Sequence, residues 1–371
     1  MKISNQIAIF SLISTLSLSA NSSIKDAIND TKVDTTLYFY TQSKSMKNTK
    51  SFAYGNLQAN LGLESGNYYG FNLGLEAKGN AKVFERYKKD YINNAPFENE
   101  ALLSQSYLKY KNEYFDFHIG RIKSNAEWFI YNYEGVEAKI VPSESSSVNF
   151  GFIRKKSETS YERSQDFFKP TDDGIYYFEV DNRPTDNLQL KSYIYTAPKA
   201  ITFYGLKTNY NFDKTNLLLH YASSSISSKY EQDMGRNSIL HTDIEYSFTD
   251  EIVASLGYIQ TGKKGGILLM SAYGDNSVPF YDANESYGKD ARTYYAQLLY
   301  AKDEYSIRAL YGMEKYKPNN KTLQEKELNL EAIYNFTNNF NAMAVWINVR
   351  AEDSSDYGNY NKFLTKFEYK F

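Results

Sequence analysis

From residue 32 to the last residue, apolar and polar side chains alternate with a period of two. In 56–64 (NLQANLGLE), Leu57, Ala59, Leu61 and Leu63 share one face, while Asn56, Gln58, Asn60 and Glu64 share the other. Phe71, Leu73, Leu75 and Ala77 alternate with Asn72, Glu76 and Lys78. Leu240, Thr242, Ile244, Tyr246 and Phe248 oppose His241, Asp243, Glu245 and Ser247, and Leu328, Leu330, Ala332, Tyr334 and Phe336 oppose Glu327, Asn329 and Glu331. That period belongs to a β-strand with one greasy and one wet face. One such strand says little. The same pattern sustained to the C-terminus predicts a continuous sheet with an apolar side and a hydrophilic side.

The connections carry a second regularity. Short polar turns at 65–67, 111–113, 142–145, 181–186, 211–215, 249–251, 302–303 and 337–338 alternate with longer segments such as 81–100, 156–173, 224–237 and 263–291. Only the outer connection 196–199 is short where a long one is expected. Short turns at one end and long loops at the other are the plan of bacterial outer-membrane barrels. Strands are expected at 33–41, 51–64, 68–80, 101–111, 114–122, 134–141, 146–155, 174–180 and 187–195. They continue at 200–210, 216–223, 238–248, 251–262, 292–301, 304–314, 326–336, 339–350 and 360–371. The fold class is therefore all-β, a transmembrane antiparallel barrel of about 18 strands, or about 16 without the weakly patterned pair 174–180 and 187–195. An even number leaves both ends on one side, with 302–303 a periplasmic turn and 263–291 extracellular. A propeller would repeat a motif every 40–50 residues or so, and no such recurrence is present.

Composition agrees with a wall that separates two solvents. The chain has 36 Tyr and 23 Phe, 16% aromatic in all, yet its mean hydropathy is -0.58. An outward face needs apolar residues with Tyr and Phe at both headgroup levels, while the inward face meets water. Beyond the N-terminus no apolar run approaches the roughly 20 residues of a membrane helix. The 42 basic and 44 acidic residues are interspersed, with no basic stripe for nucleic acid. With no cysteine there is no thiol nucleophile, thiolate metal site or disulfide. Lys2 followed by the apolar stretch 7–20 (IAIFSLISTLSLSA) reads as a secretory signal, 1–20, with cleavage after Ala20 or Ser22. A buried N-terminal helix is the alternative. The domains are then the signal, a short periplasmic segment 21–32, and a barrel 33–371.

The last strand places Phe363, Thr365, Phe367, Tyr369 and Phe371 on one face, with Lys366, Glu368 and Lys370 on the other. Phe367, Tyr369 and Phe371 are the expected assembly signal, read by the barrel-assembly machinery. Three stretches resemble the OprD-like porins, in the version found in Campylobacter-like bacteria. Segment 24–40 (IKDAINDTKVDTTLYFY) is similar to that group's short helix and first strand, with Asp34 where a glycine is expected. Segment 102–140 carries the Gly120-Arg121 pair and the entry Glu134-Gly135-Val136, and 190–212 is similar to the family's mid-barrel hairpin. The resemblance implies an 18-stranded porin, monomeric or a homotrimer, with inward loops narrowing the pore. It also implies a lumenal ladder of basic side chains guiding small anions such as carboxylates. A dense row of lumen-facing arginines is not found here, which leaves the substrate class open.

The expected work is passive diffusion of small hydrophilic solutes or ions through a water-filled lumen, with no catalysis, cofactor or metal. The alternative is a closed barrel serving as surface adhesin or scaffold. The expected partners are outer-membrane lipid and lipopolysaccharide. A barrel phospholipase would need a Ser–His pair on the lipid side, but His118, His220 and His241 all fall on the lumen face by alternation. Asp275, Asp282, Glu285 and Asp290 read as a solvated extracellular loop rather than a Ca²⁺ site. Alternation turns Lys78, Lys109, Lys139, Lys207, Arg308 and Arg350 to the lumen, opposed by as many carboxylates: Glu76, Asp116, Glu137, Asp243, Glu245 and Glu331. So balanced a lining predicts mild ion preference, tuned where the pore is narrowest. The expected inward loop is 123–133, which carries Glu127, Trp128, Phe129, Tyr131 and Tyr133. Arg121 stands at its base. Strict alternation aims it outward with Phe117 and Ile119, where it would reach the headgroups; a bulge at Gly120 would turn it inward.

Overall fold

A sheet whose strands all carry one greasy face needs neighbours on both edges of every strand, and closure supplies them. The computed structural model describes residues 23–371 apart from 48, 228–234, 276–277, 283–284, 318–320 and 353–357. The expected signal 1–20, with its cleavage point at 20 or 22, lies outside the described residues. The first strands are β1 (Lys32–Met46), β2 (Phe52–Glu64), β3 (Phe71–Glu85), β4 (Ala101–Lys111), β5 (Phe115–Lys123) and β6 (Asn132–Ser143). Next come β7 (Ser146–Ser157), β8 (Ile175–Thr185), β9 (Leu188–Ala197), β10 (Ile201–Phe212), β11 (Thr215–Ile226) and β12 (Ser238–Ser247). The last are β13 (Ile252–Thr261), β14 (Arg292–Lys302), β15 (Tyr305–Tyr316), β16 (Leu323–Asn335), β17 (Phe340–Ala351) and β18 (Tyr360–Lys370). All 18 belong to one sheet, each strand paired with its chain neighbours, and β18 closes on β1 from Thr36↔Lys370 to Met46↔Tyr360. The structure is a closed antiparallel barrel.

The weakly patterned pair is present as β8 and β9, registered from Tyr176↔Thr196 to Thr185↔Leu188. Several strands run further into the long-loop end than alternation indicates: β1 reaches Met46, β3 reaches Glu85 and β16 begins at Leu323. Beyond the apolar band both faces of a strand are wet. The ladder continues there, but its period of two fades from the sequence. At the other end the turns are tight. Asp213 and Asp303 open two-residue hairpins with φ of 49° and 50°, the left-handed conformation such turns demand and Asp tolerates. Helix α1 (Ile24–Asn29), capped by the Ser23 hydroxyl accepting from the Asp26 N–H, sits at this end. Its Ala27 carbonyl accepts from the Gly66 N–H at 2.8 Å.

The outward positions are apolar and bare: Leu73 and Leu256 are each 62% exposed. So continuous an apolar surface is stable only against an apolar surrounding. Exposed aromatic side chains gather at two levels, Phe71, Tyr210, Phe212, Tyr246 and Phe248 toward the short turns, and Tyr176, Tyr204, Tyr221 and Tyr294 toward the long loops.

Tyrosine is not confined to those levels. Tyr107, Tyr177, Tyr193 and Tyr295 point inward, each across a glycine directly opposite on the next strand: Gly74, Gly151, Gly205 and Gly257. A Cβ at Gly257 would stand 1.9 Å from the Tyr295 Cζ, and one at Gly74 2.1 Å from the Tyr107 Cζ. The glycine is a slot that lets the ring lie along the wall. Outer girdles alone therefore do not account for the tyrosine excess.

Candidate functional site

The inward positions of the strands carry charges that meet their opposites on the wall itself. Lys78 Nζ lies 3.7 Å from Glu76, Lys109 Nζ 3.9 Å from Glu64, and His118 Nε2 2.7 Å from Asp116. Ser104 donates to Glu76 at 2.5 Å. Arg308 holds both oxygens of Glu331, Nε at 3.3 Å and Nη2 at 3.2 Å, and donates to the Pro279 carbonyl at 3.4 Å. Glu137 accepts from the Ser124 and Tyr177 hydroxyls, both at 2.5 Å. Asp243 accepts from Tyr295 at 2.6 Å, and Glu245 follows it on the same face. Lys139 is exposed, opposite Asp116 on β5. His220 and His241 pair across β11 and β12, with Nε2 atoms 2.5 Å from the Tyr193 oxygen and 2.9 Å from the Tyr295 oxygen.

Two expected lining residues face the other way. Arg350 stands opposite Lys326 on the outer side and is exposed, while Met343, Val345, Ile347 and Val349 of the same strand are buried inside. Strand β17 is apolar on both faces, with Ala342, Ala344 and Trp346 outward, so alternation there does not tell the faces apart. Arg121 also points outward. The pairs Tyr107↔Gly120 and Gly120↔Gly135 keep step with their neighbours, so Gly120 carries no bulge. Its φ of +125°, with a Cβ position only 2.2 Å from the Ser106 carbonyl, explains the glycine instead. The bulge lies two strands away, where Glu134 pairs with Lys155 but Gly135 pairs with Ile153.

Long loops enter the barrel and pack on this wall. Segment 124–131 buries Trp128 against Phe203, ring centroids 5.0 Å apart, and Phe129 against Tyr133 and Tyr195 at 4.6 and 5.2 Å. Glu127, at the loop's centre, lies 2.7 Å from Lys207 and 3.3 Å from Lys191, and its N–H donates to Glu179 at 2.7 Å. Burial pushes the Glu127 carboxyl up, but Lys207 and Lys191 outweigh it and hold the group below the ordinary carboxylate value. The second loop, 262–291, contains α3 (Leu268–Tyr273), which Gly274 caps just before Asp275. Asp275 accepts from the Tyr133 hydroxyl and lies 3.3 Å from Lys156, and its own N–H donates to the Trp128 carbonyl. Both partners of this ion pair are nearly excluded from solvent, 5% and 6% exposed. Burial raises the Asp275 carboxyl against the pull of Lys156.

The acidic loop is thus not a solvated one. Asp275 meets Lys156, Asp282 meets Lys362 at 2.7 Å and the Tyr360 hydroxyl at 2.7 Å, and Asp290 meets Lys317 at 2.9 Å. Among the described residues, no group of three or more His, Asp or Glu could hold a metal ion. The same loop lays Ser286 on buried Glu314, its hydroxyl donating at 2.5 Å, and the Asp282 N–H on Glu327 at 3.1 Å. Nothing in the local pattern marks those glutamates as covered, because the contacts that cover them come from 28 and 45 residues away in the chain. Tyr161 and Tyr281 from two loops, with Tyr91 of α2 (Asp90–Asn94), cover the apolar inner stretch of β17 and its neighbours.

No protein-family model matches the chain, and no curated protein matches it. Solved structures do. Acinetobacter baumannii OccAB2 superposes with a TM-score of 0.77 at 13% identity, over 93% of this chain and 99% of that one. Pseudomonas aeruginosa OpdO gives 0.77 at 12% identity, over 94% and 98%. Acinetobacter baumannii OccAB4 gives 0.75 at 14%, over 92% and 98%. At such identities the likeness shows the fold alone, a closed 18-stranded antiparallel barrel shared over nearly the whole of each chain.

Proposed function

We propose that this chain is an outer-membrane porin of the OprD-like kind, in the version found in Campylobacter-like bacteria, passing small hydrophilic solutes and ions down their gradients. The observation that carries the reading is the wall itself. Leu73 and Leu75 face out while Glu76 and Lys78, one to three residues on, face in as an ion pair. Charges cost far more in hydrocarbon than in water, so the inner side must be the wet one. Pore width and lining charge then set what passes, without bond chemistry. Because most lining cations already meet a carboxylate, the field in the lumen is weak and the ion preference mild.

In planar bilayers the purified protein should give stepwise, ohmic conductance. A protein that inserts yet conducts nothing has a plugged lumen, and the adhesin or scaffold reading takes over. The same placement supports a secretory signal at 1–20 and a periplasmic segment at 21–32.

The terminus is the proposed assembly signal. Phe367, Tyr369 and Phe371 lie on the outer face, and the Phe371 N–H donates to the Thr35 carbonyl at 3.0 Å across the closing seam. Phe371→Ser should lower the amount of barrel in the outer membrane and leave the conductance of each inserted channel unchanged. Undiminished insertion would remove the assembly role.

A further inference from the structure

One sector of the outer wall is not evenly greasy. Phe117, Ala138 and Phe150 lie side by side across β5, β6 and β7. A hollow of about 430 Å³ opens among them, lined by Phe117, Ala138, Phe150, Gly151, Phe152 and Tyr176. Immediately above it, toward the long-loop end, sits the bulge in β7. Ile153 is fully buried inside, and Lys156 reaches inward to Asp275. Both residues between them, Arg154 and Lys155, are therefore turned to the outer face, which a regular strand would not allow. Arg121 joins them through Glu134, which lies 3.0 Å from Lys155 and 3.6 Å from Arg121. The ring of Phe167, from the loop between β7 and β8, lies 4.4 Å from the Arg121 guanidinium and keeps it at the wall.

Three cations and one carboxylate thus crown an apolar hollow at the long-loop edge of the outer face. Cations on such a face are costly unless a counter-charge meets them at the headgroup level. We propose that this sector is a binding site for a phosphorylated outer-leaflet lipid of the lipid A type. Its phosphates meet Arg121, Arg154 and Lys155, and one acyl chain fills the hollow beneath. A free phosphate would use the cations but leave the hollow without a role. The proposal rests on the outer-membrane placement, but the site lies outside the lumen.

The test is native mass spectrometry of the full-length protein released from detergent, with bis-phosphorylated lipid A, its dephosphorylated form and phosphatidylethanolamine as probes. Wild type should retain one lipid A in preference to the other two. The triple variant Arg121→Ala, Arg154→Ala, Lys155→Ala should weaken that retention about tenfold or more, since charge-assisted contacts are lost. Ala138→Phe, which fills the hollow and spares the cations, should weaken it as well. Heat-modifiable gel migration checks that each variant is a folded barrel, and single-channel conductance should match wild type in both. Equal retention of all three lipids by wild type overturns the site. So does unchanged lipid A retention in the triple variant, or its displacement by millimolar inorganic phosphate. A conductance failure would instead strike at the porin reading alone.

Discussion

Asp275→Ala is expected to release two lumenal loops together and to raise single-channel conductance well above wild type. Asp275 is where loop 262–291, loop 124–131 and strands β6 and β7 meet: its carboxylate takes Lys156, the Tyr133 hydroxyl and, at 3.5 Å, the Ile130 N–H, while its own N–H donates to the Trp128 carbonyl. Removing it strands the Lys156 ammonium in a nearly solvent-free position, where an unpaired charge costs about 3–5 kcal/mol. The cheapest relief is for both loops to lift from the wall and admit water to Lys156. Limited proteolysis within 124–131 should accelerate in step with the conductance. The double variant Asp275→Ala, Lys156→Met leaves no orphan charge and should return most of the way to wild type. A single variant with unaltered conductance and proteolysis would mean that the aromatic packing of Trp128 and Phe129 holds the loop unaided.

Glu127→Gln should act on selectivity rather than width. Lys191 and Lys207 share this one carboxylate at 3.3 and 2.7 Å, so the variant takes the nearest counter-charge from two cations where the loop projects into the lumen. A unit charge at such range is felt by about 1 kcal/mol even in water-like surroundings. That corresponds to an anion-to-cation permeability ratio about fivefold higher, read as a shifted reversal potential in a salt gradient. Acid should mimic the substitution. The two lysines hold the Glu127 carboxyl below its ordinary value of 4.5, so its contribution is complete above that pH and is lost as pH falls through the lower, folded value. Wild type should keep its neutral-pH selectivity down to about pH 4.5 and drift toward the variant's below it. A variant that still changes selectivity over that acid range would assign the titration to another carboxylate.

The two-residue period was enough to read every strand, including β8 and β9, because the inside and outside of this barrel are different solvents and each residue must declare which it meets. Where that pressure lapses, legibility lapses too. Strand β17 is apolar on both faces, and alternation alone points Arg350 inward where the structure has it outward, opposite Lys326. Beyond residue 41 strand β1 is polar on both faces, and in β3 a bulge at Val83, between Phe84↔Gly55 and Lys82↔Asn56, breaks the period, so alternation does not mark the end of either strand. Arg121 followed the alternation, and the bulge invoked to turn it inward belongs to β7, where the cations Arg154 and Lys155 follow one another. The inward loop 124–131 was legible from aromatics with no lipid to face. The landing of 262–291 was not, because Asp275–Lys156 and Asp282–Lys362 join residues 119 and 80 apart in sequence, and no local pattern encodes such meetings.

The inner tyrosines carry a constraint of a different sort. Each ring occupies the space a neighbour's missing Cβ leaves, so the two positions form a matched set in which neither drifts alone. A side chain at Gly257 would tip Tyr295 off the wall and into the path of solutes, and would take the hydroxyl away from Asp243. Loss of Tyr295 with the glycine kept would bare a strip of backbone to the channel water. Clearance through the barrel is thus written jointly into residues on adjacent strands, and a lineage that widens or narrows this passage must substitute them in concert.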